Sequence, residues 1–587
     1  MNRSLFALAV LLAALSPAAA RAASRPAVEA EHGMVVASER RAAEIGADIL
    51  RQGGNAIDAA VAVGFAEAVT NPCCGNIGGG GFLVAHLAAT HRDVFIDFRE
   101  TAPAAATKAM YLDASGAPIA GASLDGWRAV ATPGTVLGLD AALKEYGAMS
   151  RDKVMAPAIA LARDGFVLDR ADADILQAFA PRFRSDPEAA KIFLHPDGSP
   201  LQPGDRLIQS DLAATLQAIA DQGPDAFYRG AIAQRIDAAM HANGGIISAA
   251  DLAAYKIGEA LPLACDYRGF RFVSAPPPSS GGVTLCEILN VLEGYDLQGL
   301  GFHSAASVHL MVEAMRHAFM DRNTYLGDPA FVSNPLDRLL SKDYAARIRA
   351  AILPDKATPS QEVLPGVAPH EKSETTHYSV IDRDGDAVAV TYSLNGGFGA
   401  TVIPPGTGVL LNDVMDDFTI KPGVANLFGL VQGEANSIAP GKRPLSSMAP
   451  TLIEKDGRVV MALGSPGGSR IITTVLETAL NLIDYGMGLQ DAVDAPRFHH
   501  QWLPDSVFAE PYAFSPDTQR LLEGMGYKIV VQAPWSAAEV VATAGAAPVA
   551  AGPAAGNPDS IFGGRMRPGS LYGANDDRRP AGAAVGE

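Results

Sequence analysis

A threonine at the head of a strand is the residue in this sequence best placed for nucleophilic chemistry. Thr375 follows a polar, proline-containing stretch that runs from residue 353 to Glu374, and from it the pattern changes to alternating β-branched and polar residues. Residues 375–381 and 387–394 are two such runs, joined by Asp382-Arg383-Asp384-Gly385-Asp386, a hairpin signal. A three-residue loop, Arg383-Asp384-Gly385 with Gly385 left-handed, places Thr375 directly opposite Ser393; a two-residue Asp-Gly turn would oppose it to Leu394, on the wrong face for a polar site. The first register is the one we expect. A second element suits the same chemistry: residues 459–463 read as a buried strand, Gly464-Ser465-Pro466-Gly467-Gly468-Ser469-Arg470 as a turn, and Ile471, Ile472, Val475, Leu476, Ala479, Leu480 and Ile483 as one helix face. Such a junction aims backbone N–H groups outward, where they can hold a negative oxygen.

The histidines offer less. His499 and His500 are adjacent on a strand pattern and so point to opposite faces, with no third ligand at a metal spacing. We expect no metal site there. His377 shares Thr375's face but sits two residues away, which favours a packing or hydrogen-bonding role over that of a general base.

The elements that must position these residues belong to a large globular chain. Its 587 residues are 48% hydrophobic and 19% charged, which excludes disordered, collagenous and coiled-coil classes. A formal charge of −18 without a basic run excludes nucleic acid as a partner. Residues 1–23 read as a secretory signal: Asn2-Arg3, an apolar run from Leu5 to Leu15, then small residues with cleavage near Ala22 or Ala23. The chain is therefore expected to be secreted, to the periplasm of a bacterium, with no membrane anchor once the signal is removed. Export permits disulfides, yet Cys73 and Cys74 are adjacent and disfavour a mutual bond; Cys265 or Cys286 pairing with one of them is an alternative to four buried thiols, and buried thiols are the expectation.

Along the chain, Ala-rich helical stretches from Ala42 to Val69 precede the glycine run Gly78-Gly79-Gly80-Gly81, which reads as close packing or a ligand-lining turn because no Gly-Lys-Ser/Thr follows it. Residues 134–353 are mostly helical in pattern, interrupted by Pro276-Pro277-Pro278-Ser279-Ser280-Gly281-Gly282, and residues 542–556 form a low-complexity surface insertion.

Glu374-Thr375-Thr376-His377-Tyr378-Ser379 resembles the processing site of the γ-glutamyltransferase (γ-glutamyltranspeptidase, glutathione hydrolase) family. The likeness extends in order through Asp97-Phe98-Arg99-Glu100, Pro133-Gly134-Thr135, Pro277-Pro278-Ser279-Ser280-Gly281-Gly282, Tyr325-Leu326-Gly327-Asp328-Pro329, Met415-Asp416-Asp417-Phe418, Lys442-Arg443-Pro444-Leu445-Ser446-Ser447-Met448, the Gly464–Arg470 turn and Ala495-Pro496-Arg497-Phe498-His499-His500-Gln501-Trp502. It implies an α+β fold, a four-layer αββα sandwich of the N-terminal-nucleophile hydrolase type, built jointly by two self-cleaved pieces: a large subunit, 24–374, and a small catalytic subunit, 375–587. Cleavage between Glu374 and Thr375 would expose an α-amino group, unperturbed pKa roughly 7.7–8.0, as the base for Thr375. The resemblance further implies Ser393 as a hydroxyl partner where the family usually has Thr, Gly467 and Gly468 as the oxyanion hole, Arg99 with Ser446 and Ser447 for the substrate α-carboxylate, and Asn395 and Asp417 for its α-ammonium. No cofactor is implied. The expected partners are glutathione and other γ-glutamyl compounds, with amino-acid or peptide acceptors.

Two positions depart from the family pattern. Val414 stands where relatives carry Glu or Gln contacting the α-amino group, and Phe428 where some carry Tyr in the lid-like stretch 421–440. Loss of the Val414 acceptor raises a second expectation, an acylase for glutaryl-type (cephalosporin) substrates; an exported binding protein that neither matures nor turns over is the non-enzymatic alternative. The leading reading predicts that Thr375→Ala abolishes both self-cleavage and turnover, as seen on a denaturing gel and with a γ-glutamyl anilide. A variant that still cuts itself or turns over would remove Thr375 from the mechanism.

Overall fold

The alternating runs form the strands Thr375–Ile381 and Ala387–Ser393 in a computed structural model that describes residues 24–360, 375–546 and 566–587. Their register opposes Thr375 to Ser393 and Ile381 to Ala387. Gly385 takes φ +90°, and its N–H donates to the Asp382 carbonyl at 3.2 Å; a side chain would strain that left-handed backbone. This hairpin is the centre of a six-stranded antiparallel sheet. Met34–Ala37 and then Ala583–Gly586 extend it on one side, Gly80–Leu87 and then Arg92–Asp97 on the other.

A seven-stranded antiparallel sheet lies face to face with the first, in the order Val28–Ala30, Leu571–Asn575, Glu539–Thr543, Arg458–Gly464, Thr451–Lys455, Phe270–Ser274 and Leu263–Tyr267. Side chains tie the layers: Ser379 Oγ donates to the Glu539 carbonyl at 3.0 Å and Ser38 Oγ to the Glu539 carboxylate at 3.2 Å. Helices cover the outer faces. Ala56–Thr70, started by a capping box between Asn55 and Asp58 and buried at every residue, joins Arg40–Arg51 in a core with Val35, Leu83, Tyr378 and Val390. Gly281–Leu292, Ala305–Tyr325 and Arg470–Ile483 pack into a second core with Phe272, Leu452 and Met461. The result is the layered αββα sandwich expected from the resemblance. Each sheet mixes strands from before and after the 361–374 segment.

Three expectations are corrected. The cysteines are not thiols: Cys73 is bonded to Cys74 and Cys265 to Cys286. The first pair closes where the chain curls through Pro72–Cys74, with the Cys74 and Gly75 N–H groups donating to the Asn71 carbonyl at 3.0 and 2.9 Å. The second depends on a hairpin that the helical pattern of 134–353 concealed. Strands Leu263–Tyr267 and Phe270–Ser274 turn at Arg268-Gly269, both left-handed, and bring Cys265 to 5.9 Å Cα–Cα from Cys286 on helix Gly281–Leu292. The low-complexity insertion is shorter than expected at its start, because Ala542 and Thr543 end a strand of the seven-stranded sheet. Residues 547–556, the expected signal segment 1–23 and Glu374 lie outside the described residues. Among the described residues no helix is long and apolar enough to cross a membrane.

The glycine run serves close packing. A Cβ on Gly79 would fall 2.0 Å from the Ser393 carbonyl oxygen, so this position lets the chain press against the strand end that carries Ser393. At the far edge the two sheets share an ionic cluster: His86 Nδ1 lies 2.8 Å from Asp93 and 3.3 Å from Glu454, and Arg271 Nη1 donates to both carboxylates at 2.7 Å. The hydrogen bond to Asp93, then that to Glu454, raise the His86 imidazole from 6.5 to about 9, and the same contact helps hold Asp93 near 2. A raised folded pKa means stability that is fully present below pH 6.5 and lost as pH rises through 9. The melting temperature is therefore expected to fall by about 1–3 °C between those limits, and His86→Gln to remove most of that slope. An unchanged slope in the variant would assign the dependence to other groups.

Candidate active site

Thr375, 4% exposed, opens the central strand with its Oγ1 at 3.2 Å from Ser393 Oγ. The Asn395 N–H donates to the same Ser393 oxygen at 2.8 Å, and this requires Asn395 to adopt φ +81°, a left-handed conformation that Asn tolerates better than most residues. Asp413 locks the turn: its carboxylate accepts the Gly396 N–H at 2.7 Å and its carbonyl accepts Asn395 Nδ2 at 3.2 Å.

Thr375 and Ser393 share a cavity with Arg99, Arg322, Asn395, Asp417, Phe428, Leu430, Ser446, Ser447, Met448, Gly468 and Ile471. Eight of the residues expected from sequence thus meet around one space. Gly467 is not in the wall. It packs beside it at φ +131°, where a Cβ would fall 2.0 Å from Ser536 Oγ, and Gly468, at φ +55°, leaves room for the Phe428 ring. Their carbonyls accept the Arg470 and Ile471 N–H groups at 3.0 and 3.3 Å, which ties the turn to the start of helix Arg470–Ile483.

Opposite Thr375 the wall is ionic. Arg99 is 1% exposed and is held by its own strand end: its N–H donates to Asp97, its Nε to the Pro444 carbonyl at 3.2 Å and its Nη1 to Glu100 at 3.2 Å. Its Nη2 pairs with the Asp417 carboxylate. Burial raises the Asp417 carboxyl while Arg99 pulls it back down, and burial pushes Glu100 up to about 7 against the same guanidinium. A zwitterionic head group can be met here by both signs of charge within one contact.

The cavity wall carries no histidine. His377 is buried between Thr391 Oγ1 at 2.8 Å and Ser379 Oγ at 3.0 Å, and burial alone drives it down to about 3; a ring that stays neutral and engaged at both nitrogens is a structural element. His499 is hydrogen-bonded with Thr473 and Gln501, and His500 with Asp505 and the Trp502 N–H. Among the described residues, His86, Asp93 and Glu454 are the group whose ligand atoms approach closely enough to hold a metal ion. Arg271 already supplies the positive charge between those carboxylates, so the cluster is satisfied as ion pairs.

Val414 is absent from the wall. Its side chain is buried in an apolar cluster with Tyr111, Met415, Phe418 and Ile438. Phe428 does reach the cavity, carried by a loop whose Leu427 N–H donates to Asp416 at 2.8 Å. Burial raises the Asp416 carboxyl to about 6. Arg322, fully buried in the last turn of helix Ala305–Tyr325, is the functional candidate that sequence reasoning missed; its place just before the Tyr325–Pro329 motif was the one signal in the sequence.

A threonine at a strand head in an αββα sandwich, with no histidine among the described residues that line its cavity, is the arrangement of an N-terminal-nucleophile hydrolase. The family model described as gamma-glutamyltranspeptidase matches residues 42–564. A glutathione hydrolase proenzyme of Pseudomonas sp. (strain A14) is 55% identical over the whole of both chains, and one of Escherichia coli (strain K12) is 49% identical over 94% of this chain and 91% of its own. Among solved structures, a cephalosporin acylase from Bacillus halodurans superposes with a TM-score of 0.81 at 27% identity, covering 96% of this chain and 97% of that one. The chain belongs to the gamma-glutamyltranspeptidase family. It is an enzyme of that class.

If Arg99 reads a carboxylate with its planar fork, Arg99→Lys keeps the charge but loses the paired donors. The expected loss in kcat/KM on a γ-glutamyl anilide is about 10–100-fold, mostly in KM, the size of one charged hydrogen bond. Wild-type kinetics in that variant would exclude Arg99 from substrate recognition.

Proposed function

We propose that this chain is an exported γ-glutamyltransferase and glutathione hydrolase that matures by cutting itself between Glu374 and Thr375. The observation that carries the reading is Thr375 at the head of its strand, 3.2 Å from Ser393 Oγ, in a cavity whose one carboxylate, Asp417, is committed to Arg99. The base is then the α-amino group that cleavage creates on Thr375 itself.

In the precursor, Thr375 Oγ1 attacks the Glu374 carbonyl carbon, the Glu374–Thr375 C–N bond breaks, and water hydrolyses the resulting ester. The pieces 24–374 and 375–587 stay together as a heterodimer, since each sheet is built from both. In turnover, the α-amine takes the Oγ1 proton as oxygen attacks the γ-carbonyl carbon. The Gly467–Gly468 turn holds the tetrahedral oxygen through backbone N–H groups, an interaction worth about 10²–10³ in rate per donor. The C–N bond then breaks, the leaving amine takes the proton, and the γ-glutamyl ester is resolved by water, an amino acid or a peptide. Arg99, Ser446 and Ser447 hold the α-carboxylate; Asp417 and Asn395 hold the α-ammonium. Two disulfides among the described residues support an oxidising compartment such as the periplasm.

A glutaryl acylase is the second reading, favoured by the likeness to the Bacillus halodurans acylase and by Val414. The placement of Val414 in the apolar cluster weighs against it, because the cavity keeps Asp417 and Asn395. Initial rates on γ-glutamyl and glutaryl anilides decide between them. We expect the γ-glutamyl compound to be preferred by about tenfold or more, as the loss of one charged hydrogen bond from a substrate would produce. Equal or faster glutaryl cleavage makes the protein an acylase, and an uncut chain after prolonged incubation makes it a binding protein.

A further inference from the structure

The Pro277–Gly282 motif has no role in the chemistry described so far, yet it braces one wall of the cavity. Ser279 Oγ donates to the Met448 carbonyl at 2.5 Å and Ser280 Oγ to the Ser446 carbonyl at 2.6 Å. Main-chain bonds run both ways, from Ser280 N to Ser446 O at 2.8 Å and from Ser446 N to Pro278 O at 2.9 Å. The Ser446-Ser447 pair is thus set on a rigid edge rather than on a free loop.

Arg322 binds this edge from behind. Its Nε donates to Ser280 Oγ at 2.9 Å and its Nη2 to Ser447 Oγ at 2.9 Å, while Nη1 donates to Asn323 Oδ1 at 2.8 Å and Gln432 Oε1 at 3.2 Å. All four acceptors are neutral. Arg322 is 1% exposed, and among the described residues no carboxylate lies within ion-pair distance of it. Asp417 is the anion whose field reaches it, and burial lowers its guanidinium to about 10, still a cation at neutral pH. Arg99, by contrast, is matched by both Asp417 and Glu100. Burying a cation without a paired anion is costly unless an anion arrives from elsewhere.

We propose that Arg322 is a positioning residue that selects acyl donors bearing a free α-carboxylate. Its Nη2–H occupies a lone pair of Ser447 Oγ, which leaves the Ser447 hydroxyl hydrogen to be donated into the cavity, and its charge is the uncompensated one that a carboxylate there neutralises. Arg99 supplies the fork; Arg322 orients Ser447 and supplies the second positive field. The proposal rests on the reading that this cavity holds the donor's carboxylate, which γ-glutamyl and glutaryl groups share.

The test compares a γ-glutamyl anilide with the same anilide whose α-carboxylate is converted to a carboxamide, an exchange that keeps shape and ammonium. In the mature enzyme, Arg322→Gln should raise KM for the acid about 30-fold, the size of one charged hydrogen bond, with kcat within about threefold. Its kcat/KM for the carboxamide should stay within about threefold, so the acid preference collapses. Arg322→Lys, which keeps a charge, should retain that preference within about tenfold. A proportional fall on acid and carboxamide in both variants overturns the proposal, because a merely structural arginine would act on both alike. So does an acid preference that survives Arg322→Gln. Should Arg322→Gln fail to mature, Arg322→Lys decides by the same ratio. If the wild type proves to prefer glutaryl anilide, the functional reading fails separately, and the same acid-to-carboxamide ratio is measured on the glutaryl pair.

Discussion

The pairing of Thr375–Ile381 with Ala387–Ser393 is the constraint on which the site depends. A strand's side chains alternate with a period of two, so a one-residue slip would turn Thr375 to the other face and oppose it to Leu394. The left-handed Gly385 turn prevents that slip. The neighbouring strands then close around it: Gly80 pairs with Ser393 across the sheet, and Gly79, lacking a side chain, lets the preceding chain approach the Ser393 carbonyl. Thr375 lines the cavity from the first position of its strand.

Electrostatics supply the second layer of order. The cavity concentrates Arg99, Arg322, Asp417 and, just behind, Glu100 in a buried wall. Charges out of water are tolerated when paired and hydrogen-bonded, and the observed pairs account for all but one of them: Arg99 spans Asp417 and Glu100, whereas Arg322 meets neutral oxygens. The proposed recognition of a charged incoming group follows from this arrangement, with the wall's hydroxyls already fixed by hydrogen bonds. Preorganisation of this kind spares the reaction the cost of turning them.

The same logic of burial and partners sets the state of the histidines. His377, His499 and His500 are each enclosed by hydrogen-bond partners, and burial keeps all three below their ordinary pKa. Rings held in this way are poor proton acceptors, which fits the proposal that a main-chain amine serves as the base. His86 behaves in the opposite way, because Asp93 and Glu454 face it directly and hold the proton on. There the ionic cluster serves as a clasp between sheets.

Much of this was legible in the residues. Period-two alternation and a glycine turn are local properties of the backbone, so they determined the hairpin, its register and the Thr375–Ser393 facing; a run of small and apolar residues after Gly464 likewise determined the strand–turn–helix. Family resemblance brought Arg99, Asn395, Asp417, Ser446 and Ser447 into consideration. The tertiary structure alone decided what depends on distant segments meeting. Cys265 bonds Cys286 because an unrecognised Arg268-Gly269 hairpin lies beside a helix, and no spacing rule encodes that contact. Val414 turns into an apolar cluster rather than the cavity, since a short 3-10 turn at Val414–Asp417 sets its direction. Arg322 enters the wall only because its helix, the Pro277–Gly282 turn and the Ser446-Ser447 edge cross at one point, and a crossing is a property of packing, not of any one stretch of chain.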